Sequence, residues 1–378
     1  MLKLKVILYN LINAQKESKS RKVILFPLCL LSFFYGLASS TRVFLYSRGI
    51  FKSHSLPCKV VSVGNITLGG TGKTPFVSLL AETIKARGYR VAILSRGYKG
   101  NFPGPVGVVS DGNKILMEPL HAGDEPFLLA EKLKDVPVVV GRERWISGQF
   151  ALKRFQSEVI ILDDGYQHLS LKRDLNLLLI DSSSPFGNGH LFPRGVLREP
   201  LGQVSRADAV ILTKTGQSDN INKLKMNLER TIGERATFQV DYAPEGVRVY
   251  GTEKFLPPGY LNGKKVLAFS GVAKPESFRK TLNKLNADIA ALLTFPDHHW
   301  YRSQDGEELW QKAAALGVEA LITTEKDLIR VKNLIPGNIP LWALAIRHVF
   351  PQDDQARFFE FVFSRLGLKA REGLSGRA

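Results

Sequence analysis

The hydrophobic positions from residue 57 onward form short continuous runs, and helical or polar segments separate them. Runs that are apolar throughout are typical of strands buried on both faces, so this alternation predicts a parallel sheet covered by helices. The strands predicted first are 58–64, 91–97, 136–141, 158–165, 175–181 and 207–214. A helix is predicted over 74–87, where Gly88 ends it. We therefore expect an α/β domain over residues 57–235.

A second alternating region follows. Residues 236–250 alternate between polar and apolar positions, which is typical of a hairpin or of linker strands. The apolar runs after them are 264–272, 287–295, 318–327 and 339–346. This pattern predicts linker strands that act as a hinge over 236–263, a smaller α/β domain over 264–365, and a frayed, disordered tail over 366–378.

The N-terminal region, residues 1–56, has a different pattern. Val23 to Thr41 is a run of 19 residues without a charge, and basic residues flank it on both sides. A helix of that length nearly crosses the apolar core of a bilayer. A cleaved signal peptide, a membrane-embedded or interfacial anchor and a buried core helix are the alternatives. The basic flanks favour a membrane-associated helix over about 23–41 that contacts anionic lipid, while Pro27 and Gly36 disfavour a straight span.

Composition narrows the class of partner. The chain has 378 residues, 44% of them hydrophobic, and a formal net charge of +17. A basic balance favours anionic partners, but much of the excess surrounds the apolar segment, so nucleic-acid binding is not expected. Two cysteines exclude a disulfide framework or a zinc site.

The stretch GNITLGGTGKTP, residues 64–75, follows the first predicted strand and opens the predicted helix. Its glycines let backbone N–H groups surround phosphate oxygens, while Lys73 adds a positive charge and Thr74 offers a hydroxyl to Mg²⁺. The strict P-loop pattern fails only at Thr67, where its first glycine would stand. The predicted nucleotide-binding residues are Thr67, Gly69, Gly70, Thr71, Gly72, Lys73 and Thr74. We therefore expect a sheet of the P-loop NTPase type.

Two further motifs bear on the nucleotide. Dimerising ATPases of the metal-chaperone class carry a lysine before the paired glycines, where this chain has Leu68. Guanine-specific enzymes use [NT]-K-x-D, and the nearest match, TKTG, has Gly216 in place of the aspartate. Without that carboxylate the guanine edge lacks its acceptor, so ATP is the predicted nucleotide.

Carboxylates follow several predicted strands. Asp163 and Asp164 end the run VIILDD, where a Walker B carboxylate holds the Mg²⁺ shell, although either residue alone could instead cap the following turn. Gln167 and His168 follow on the same loop. Asp124 in GDEP precedes a helical run, and local sequence by itself favours a helix N-cap there.

Two histidines and a charged loop complete the candidates. His298 and His299 in FPDHH follow a strand of the second region, where they could tune a base or be polar edge residues. The loop 187–200 contains Asn188, Arg198 and Glu199, which could bind phosphate or form a solvated charged loop.

In this order, the motifs VGNITLGGTGKTP, LSRGYKG, GDEP, DDGYQH, FPRGVLREP and FPDHH resemble those of the tetraacyldisaccharide 4′-kinases, the lipid A 4′-kinase family. The resemblance covers roughly residues 25–330, and the family tolerates threonine at the position of Thr67. It departs at Arg194, where PRGVLREP replaces the commoner PAGPLREP.

The resemblance implies an ATP- and Mg²⁺-dependent kinase. Such an enzyme phosphorylates the 4′-hydroxyl of a tetraacylated glucosamine disaccharide 1-phosphate, giving lipid IVA at the cytoplasmic face of the inner membrane. No obligate protein partner is implied. An ATP-dependent enzyme stays in the cytoplasm, which argues against a cleaved signal peptide.

The resemblance also implies roles for single residues. It suggests Asp124 as the base, His298 as its partner, and Lys73 as a catalytic residue beside ATP. It places Thr74, Asp163 and Asp164 at the metal. The residues implied on the substrate side are Gln167, His168, Arg144, Asn188, Arg198 and Glu199.

Because the base and its histidine lie in different predicted domains, we expect an interdomain cleft that closes about a hinge at 236–250 and excludes water. Two other function classes remain. A P-loop NTPase of the switch or metallochaperone class would need a dimer lysine or a guanine motif, and the chain has neither. An ATP-dependent kinase or ligase acting on a soluble metabolite would not need the apolar segment.

Overall fold

The structure is a computed structural model that describes residues 19–98, 100–217, 221–232, 236–337, 339–351, 354–369 and 371. Residues 1–18 of the predicted basic region lie outside the described residues, as do residues 370 and 372–378 of the predicted tail.

The described chain forms one mostly parallel sheet with helices packed on it, which confirms the predicted α/β class. The strands are β1 (Lys59–Gly64), β2 (Val91–Ser95), β3 (Gly107–Ser110), β4 (Val138–Val140), β5 (Val159–Asp163), β6 (Leu175–Asp181), β7 (Ala209–Thr213), β8 (Ala236–Val249), β9 (Phe255–Leu256), β10 (Lys265–Ser270), β11 (Asp288–Thr294), β12 (Ala320–Thr324) and β13 (Leu341–Val349). Their order is β11-β10-β12-β13-β8-β7-β6-β1-β5-β2-β4-β3, with β9 beside β8.

Helices connect most of these strands. They are α1 (Lys19–Ser47), α2 (Lys73–Ala86), α3 (Pro119–Ala122), α4 (Asp124–Lys132), α5 (Arg144–Phe155), α6 (Ile221–Ile232), α7 (Pro275–Lys284), α8 (Ser303–Leu316), α9 (Glu325–Val331) and α10 (Asp354–Leu366). The strands β1, β5 and β6 lie next to one another, and nearly all of their residues are buried. This explains their continuously apolar sequences, because both faces of the sheet are covered there.

Strand β8 connects the two parts of the sheet. Residues 236–240 pair in parallel with β7, and residues 241–249 pair antiparallel with β13. The alternating stretch 236–250 is therefore one 14-residue strand rather than a hairpin. The register shifts between Ala345 and Ile346, opposite Pro244 and Gly246, so a bulge accommodates these two residues within a strand.

The end of β12 and the edge strand β3 differ from the sequence prediction. The apolar run 318–327 is a strand only to Thr324, where α9 begins, because the Thr324 hydroxyl accepts from the Asp327 N–H and caps the helix. Strand β3, at the edge of the sheet, was not predicted, since its four residues lie in a turn-rich segment.

The last helix, α10, packs back onto the first part of the sheet. Phe358 is fully buried, and its ring lies 5.6 Å from that of Phe76 and 5.1 Å from that of Phe238. Beyond α10, the Lys369 N–H donates to the Tyr89 hydroxyl and Arg371 pairs with Glu158. The C-terminal end of the described chain therefore contacts the unit that contains β1 and α2.

Helix α1 lies on the surface and contacts the body along one face. Leu25 is buried there, the Ser32 hydroxyl donates to the Leu191 carbonyl, and the Tyr35 hydroxyl donates to the Arg198 carbonyl. The stretch Ile24–Ser47 is long and apolar enough to cross a membrane. Its exposed apolar side chains include Ile24, Phe26, Leu30, Leu31, Phe33, Phe34, Leu37 and Phe44.

Candidate active site

The phosphate-binding loop joins β1 to α2 at the carboxyl edge of the sheet. Gly69 and Gly72 have φ values of 105° and 87°, a region that side chains rarely allow. Gly72 is also the N-cap residue of α2. The unpaired N–H groups of the first turn of α2 therefore face the loop, where an anion binds most favourably.

Thr67 stands where the strict P-loop pattern has its first glycine. It forms an antiparallel bridge with Leu197, and the neighbouring Leu68 N–H donates to the Val196 carbonyl at 2.7 Å. Thr67 is not among the described non-glycine residues with positive φ. The position therefore needs no glycine, and it connects the phosphate-binding loop to the loop 187–200.

Lys73 is almost fully buried at the start of α2. Its Nζ lies 3.2 Å from Asn65 Oδ1 and 3.3 Å from Asp164 Oδ1. Asp164 in turn accepts two hydrogen bonds from Arg198 Nη1, at 3.1 and 2.9 Å. The structure thus brings Lys73, Asp164 and Arg198 together from three separate segments.

The two adjacent aspartates have different environments. Asp163 is the last residue of β5, and Asp164 follows with a φ of 52°. Burial disfavours the ionised form of Asp164, but Lys73 and Arg198 outweigh burial and hold its pKa well below the ordinary range. Asp164 is therefore an anion whose charge is already balanced by two cations.

Asp163 is fully buried and has fewer contacts. Ser95 donates to its Oδ2 at 3.0 Å, while its Oδ1 has no hydrogen-bond partner among the described residues. Burial, reinforced by the charges of Glu125 and Asp164, raises the pKa of Asp163. Such an oxygen is costly to leave unpaired and is suited to a cation or its bound water.

The oxygen atoms of these residues are suited to an Mg²⁺ ion that is also bound by the phosphates of ATP. Within the described ranges, no group of three His, Cys, Asp or Glu side chains could hold a metal by itself. Mg²⁺ is commonly bound through one or two protein oxygens, with phosphates and water supplying the rest. The Thr74 hydroxyl and the unpaired oxygen of Asp163 match that donor set.

Asp124 and His298 form a hydrogen-bonded pair. Asp124 is the first residue of α4, where Gly123, not Asp124, is the N-cap. His298 Nδ1 lies 2.8 Å from Asp124 Oδ2, and the Glu125 N–H donates to Asp124 Oδ1. The helix-cap interpretation that local sequence favours for Asp124 is therefore wrong in this structure.

The charge of Asp124 is stabilised from the second part of the sheet. Burial by itself raises its pKa, but His298, Lys326 and Arg330 outweigh burial and lower the pKa to about 2. Lys326 also pairs with Glu125, and Arg330 Nε lies 3.9 Å from Asp124 Oδ2. Helix α9 thus supports the start of α4.

The remaining substrate-side candidates contact one another only in part. The Gln167 side chain donates to the Asn65 carbonyl at 2.8 Å and also bonds Glu199. Glu199 is buried and pairs with Arg206, and burial raises its pKa. Gln167 and Glu199 therefore order the wall next to the phosphate-binding loop.

Arg144, His168 and Asn188 make mainly local contacts. Arg144 is buried, donates to the Gly141 carbonyl at 2.8 Å, and has its pKa lowered to about 10 by burial. His168 bonds the Ser170 hydroxyl, and burial lowers its pKa to about 3. Asn188 bonds the Arg194 carbonyl within its own loop. Their roles toward a substrate stay predictions.

Sequence reasoning missed four residues at this site. Asn65 and Ser95 each end or follow a strand at the carboxyl edge, and Lys326 and Arg330 lie on the helix after β12. Position at or just after the carboxyl end of a parallel strand was a signal for Asn65, Ser95 and Lys326, because such ends meet at one edge. Arg330 lies further along α9 and carried no such signal.

Comparison with known proteins supports the same assignment. A family model described as tetraacyldisaccharide-1-P 4′-kinase matches residues 24–366. The tetraacyldisaccharide 4′-kinase of Desulfatibacillum aliphaticivorans is 43% identical over 345 residues, 89% of this chain and 91% of the relative. That of Syntrophus aciditrophicus (strain SB) is 42% identical over 355 residues, 88% of this chain and 92% of the relative.

A solved structure agrees at the level of the fold. The "apo" form of LpxK from Aquifex aeolicus, in complex with ATP, matches with a TM-score of 0.72 and 32% identity. The match covers 91% of this chain and 99% of that chain. The chain therefore belongs to the tetraacyldisaccharide 4′-kinase family and is an ATP-dependent kinase of lipid A biosynthesis.

Proposed function

We propose that this chain transfers the γ-phosphate of ATP to the 4′-hydroxyl of tetraacyldisaccharide 1-phosphate, with Asp124 as the base and His298 as its partner. The observation that carries this proposal is the 2.8 Å hydrogen bond between Asp124 and His298, which joins the two parts of the sheet. A carboxylate held by a histidine is suited to accept the proton of a sugar hydroxyl.

The low pKa of Asp124 fits a late proton transfer. A carboxylate with a pKa of about 2 is too weak a base to deprotonate a free sugar hydroxyl. Phosphoryl transfer passes through a loose transition state, so the hydroxyl becomes acidic only as its oxygen bonds to phosphorus. Asp124 then accepts the proton while His298 holds the carboxylate in place.

Lys73, Asp163 and Asp164 have different electrostatic roles in this proposal. Lys73 contributes positive charge toward the β- and γ-phosphates, and Asp164 with Arg198 holds the Lys73 side chain. Thr74 and Asp163 would hold Mg²⁺, which neutralises charge on the phosphates when bound. This assigns the metal contact to Asp163 rather than Asp164.

The acceptor side is proposed to lie between the loop 187–200 and the loop after β5. Arg198, Glu199, Gln167, His168, Arg144 and Asn188 are the residues we assign to it. Guanidinium groups match the geometry of phosphate oxygens, and the acceptor carries a 1-phosphate.

We place the protein at the cytoplasmic face of the inner membrane, with α1 in contact with anionic lipid. The exposed apolar face of α1 and its hydrogen bonds to the loop 187–200 support this placement, since an acylated acceptor is found in the membrane. Arg42 of α1 contacts the loop after β5, where it donates to the Gln167 carbonyl at 3.0 Å.

The hinge predicted over residues 236–263, between two units of the chain, is part of the same proposal. Units 57–235 and 264–365 are proposed to close on each other about β8. Because β8 is hydrogen-bonded to β7 and β13, closure must bend this strand at the change from parallel to antiparallel pairing. Fluorescent labels placed on exposed sites of the two units should report a nucleotide-dependent distance, and an unchanged distance would argue against the hinge.

The decisive assay uses γ-labelled ATP, Mg²⁺ and acylated disaccharide 1-phosphate in detergent micelles. Label should appear in the lipid with the wild-type protein, and its rate of appearance should be strongly reduced with Asp124→Asn. A soluble glucosamine disaccharide without acyl chains is the control acceptor. ATPase activity without labelled lipid would contradict the proposal and favour a nucleotide switch.

A further inference from the structure

Three consecutive carbonyls of the phosphate-binding loop accept hydrogen bonds from side chains that lie outside the loop. The contacts are Lys214 Nζ to the Gly70 carbonyl (3.0 Å), Thr213 Oγ1 to the Thr71 carbonyl (3.1 Å), and His348 Nε2 to the Gly72 carbonyl (3.0 Å). Thr213, the last residue of β7, and Lys214 after it supply two of the donors. His348 on β13, the last strand, supplies the third.

These contacts fix the direction of the loop's amides. In a planar trans peptide the carbonyl of one residue and the N–H of the next point in opposite directions. Holding the carbonyls of residues 70–72 toward outside donors therefore turns the N–H groups of Thr71, Gly72 and Lys73 away from those donors. These are the amides that a phosphate-binding loop offers to its anion.

His348 is built into this position by several contacts. It pairs with Tyr242 in the antiparallel register of β8 and β13, so both side chains lie on the same face of the sheet. Its ring lies 4.7 Å from that of Tyr242 and 5.7 Å from that of Phe76. A Cβ on Gly72 would lie 2.0 Å from the Tyr242 hydroxyl, so the loop and the two rings fit closely.

The protonation state of His348 is settled by its surroundings. Burial lowers the pKa of His348 to about 4, so the ring is neutral. A carbonyl only accepts, which places the single proton on Nε2. The Gly72 carbonyl also accepts from the Phe76 N–H, at the longer distance of 3.3 Å. His348 therefore supplies its shorter hydrogen bond.

We propose that His348, with Thr213 and Lys214, is a positioning residue that orients the amides of the phosphate-binding loop for ATP. His348 is the member that comes from the C-terminal strand. ATP affinity thus depends on the packing of β13 against the loop. The inference concerns nucleotide binding only, so it is tested without the lipid acceptor and separately from the proposed roles of Asp124 and His298.

The test compares three variants of the full-length protein by calorimetric titration with Mg²⁺ and a non-hydrolysable ATP analogue. His348→Phe keeps the ring contacts and removes the donor, so the Kd should rise about tenfold. His348→Gln restores a donor and should recover most of the affinity. His121→Phe, at an exposed histidine, is the matched control and should bind as the wild type does.

Kinetics provide the readout that a purely structural role would not change. For His348→Phe the KM for ATP should rise about tenfold, while kcat at saturating ATP and the KM for the lipid stay within about twofold. The same Kd as the wild type in His348→Phe would overturn the proposal. Equal losses in the Phe and Gln variants that follow their melting temperatures would also overturn it, because the ring would then serve packing alone.

Thr213→Val keeps the inference testable if His348→Phe does not fold. Valine preserves the shape of the buried threonine and removes the hydroxyl that bonds the Thr71 carbonyl. The Kd for the ATP analogue should again rise, and an unchanged Kd would count against the proposal.

Discussion

The phosphate-binding loop and the Asp124–His298 pair are built in opposite ways. The loop takes its phosphate-binding residues from one stretch, Thr67 to Thr74, between a strand and a helix. The pair joins residues that are 174 positions apart, through α4 and the loop after β11. A site built from consecutive residues can be recognised in the sequence. The Asp124–His298 pair, in contrast, exists only because the sheet brings both segments to one edge.

The largest effect is expected from a substitution in the phosphate-binding loop. Lys73→Ala removes the positive charge that we propose for the ATP phosphates and leaves Asp164 with Arg198 as its remaining charged partner. We expect kcat/KM to fall at least about 10³-fold, because positioning and charge neutralisation dominate phosphoryl transfer. Labelled-lipid formation measures this loss. Lys59→Ala, at a half-exposed lysine, is the control, and equal losses in both variants would contradict the assignment.

The next largest effect is expected when Asp124 of the Asp124–His298 pair is replaced. Asp124→Asn should lower kcat about 10²- to 10⁴-fold and leave ATP binding unchanged, since the role we propose for Asp124 is confined to proton transfer. Steady-state kinetics and nucleotide titration separate the two quantities. Asp305→Asn is a matched control, because Asp305 also pairs with a histidine, His299, at 3.0 Å. A near-normal rate in Asp124→Asn would return Asp124 to a structural role in the first turn of α4.

A smaller effect is expected from the histidine side. His298→Ala should lower kcat about 10- to 100-fold, because Asp124 keeps its charge but loses the group that holds one of its oxygens. His299→Ala, at the neighbouring position, should stay close to the wild-type rate. Similar losses in the two variants would indicate that the loop as a whole, and not the Asp124 contact, sets the rate.

The smallest effect concerns the acid stability of the pair. The folded pKa of Asp124 is about 2, below its unfolded value, so its ionisation stabilises the fold above that unfolded value and loses this effect as pH falls toward 2. The stability difference between the wild type and Asp124→Asn should narrow by about 1 kcal/mol between pH 6 and pH 3. Urea unfolding at both values measures it. A difference that is constant across this window would contradict the low pKa.

Much of the fold was predictable from local pattern. The continuously apolar runs predicted nine of the strands within a few residues, because burial on both faces leaves a clear composition signal. The end of β12 was misplaced, because hydrophobicity does not reveal that Thr324 accepts from the Asp327 N–H and caps a helix there. The alternation over 236–250 does not distinguish a hairpin from linker strands, because its two pairing directions depend on β7 and β13.

The candidate site shows the same limit. The motifs supplied Lys73, Thr74 and both aspartates, but local sequence gave Asp163 and Asp164 equal standing. Only the packing of Arg198 and Lys73 against Asp164 distinguishes them, since these cations leave Asp163 with the unpaired oxygen. No sequence motif identified His348.

The sequence by itself determined the phosphate-binding loop, the apolar N-terminal segment and the family, because these depend on residues that are neighbours in the chain. The tertiary structure decided which groups outside the loop orient it, which aspartate keeps an unpaired oxygen, and where His298 meets Asp124. Those features depend on strand order and side-chain packing between distant segments, and hydrophobic periodicity carries no information about such pairings.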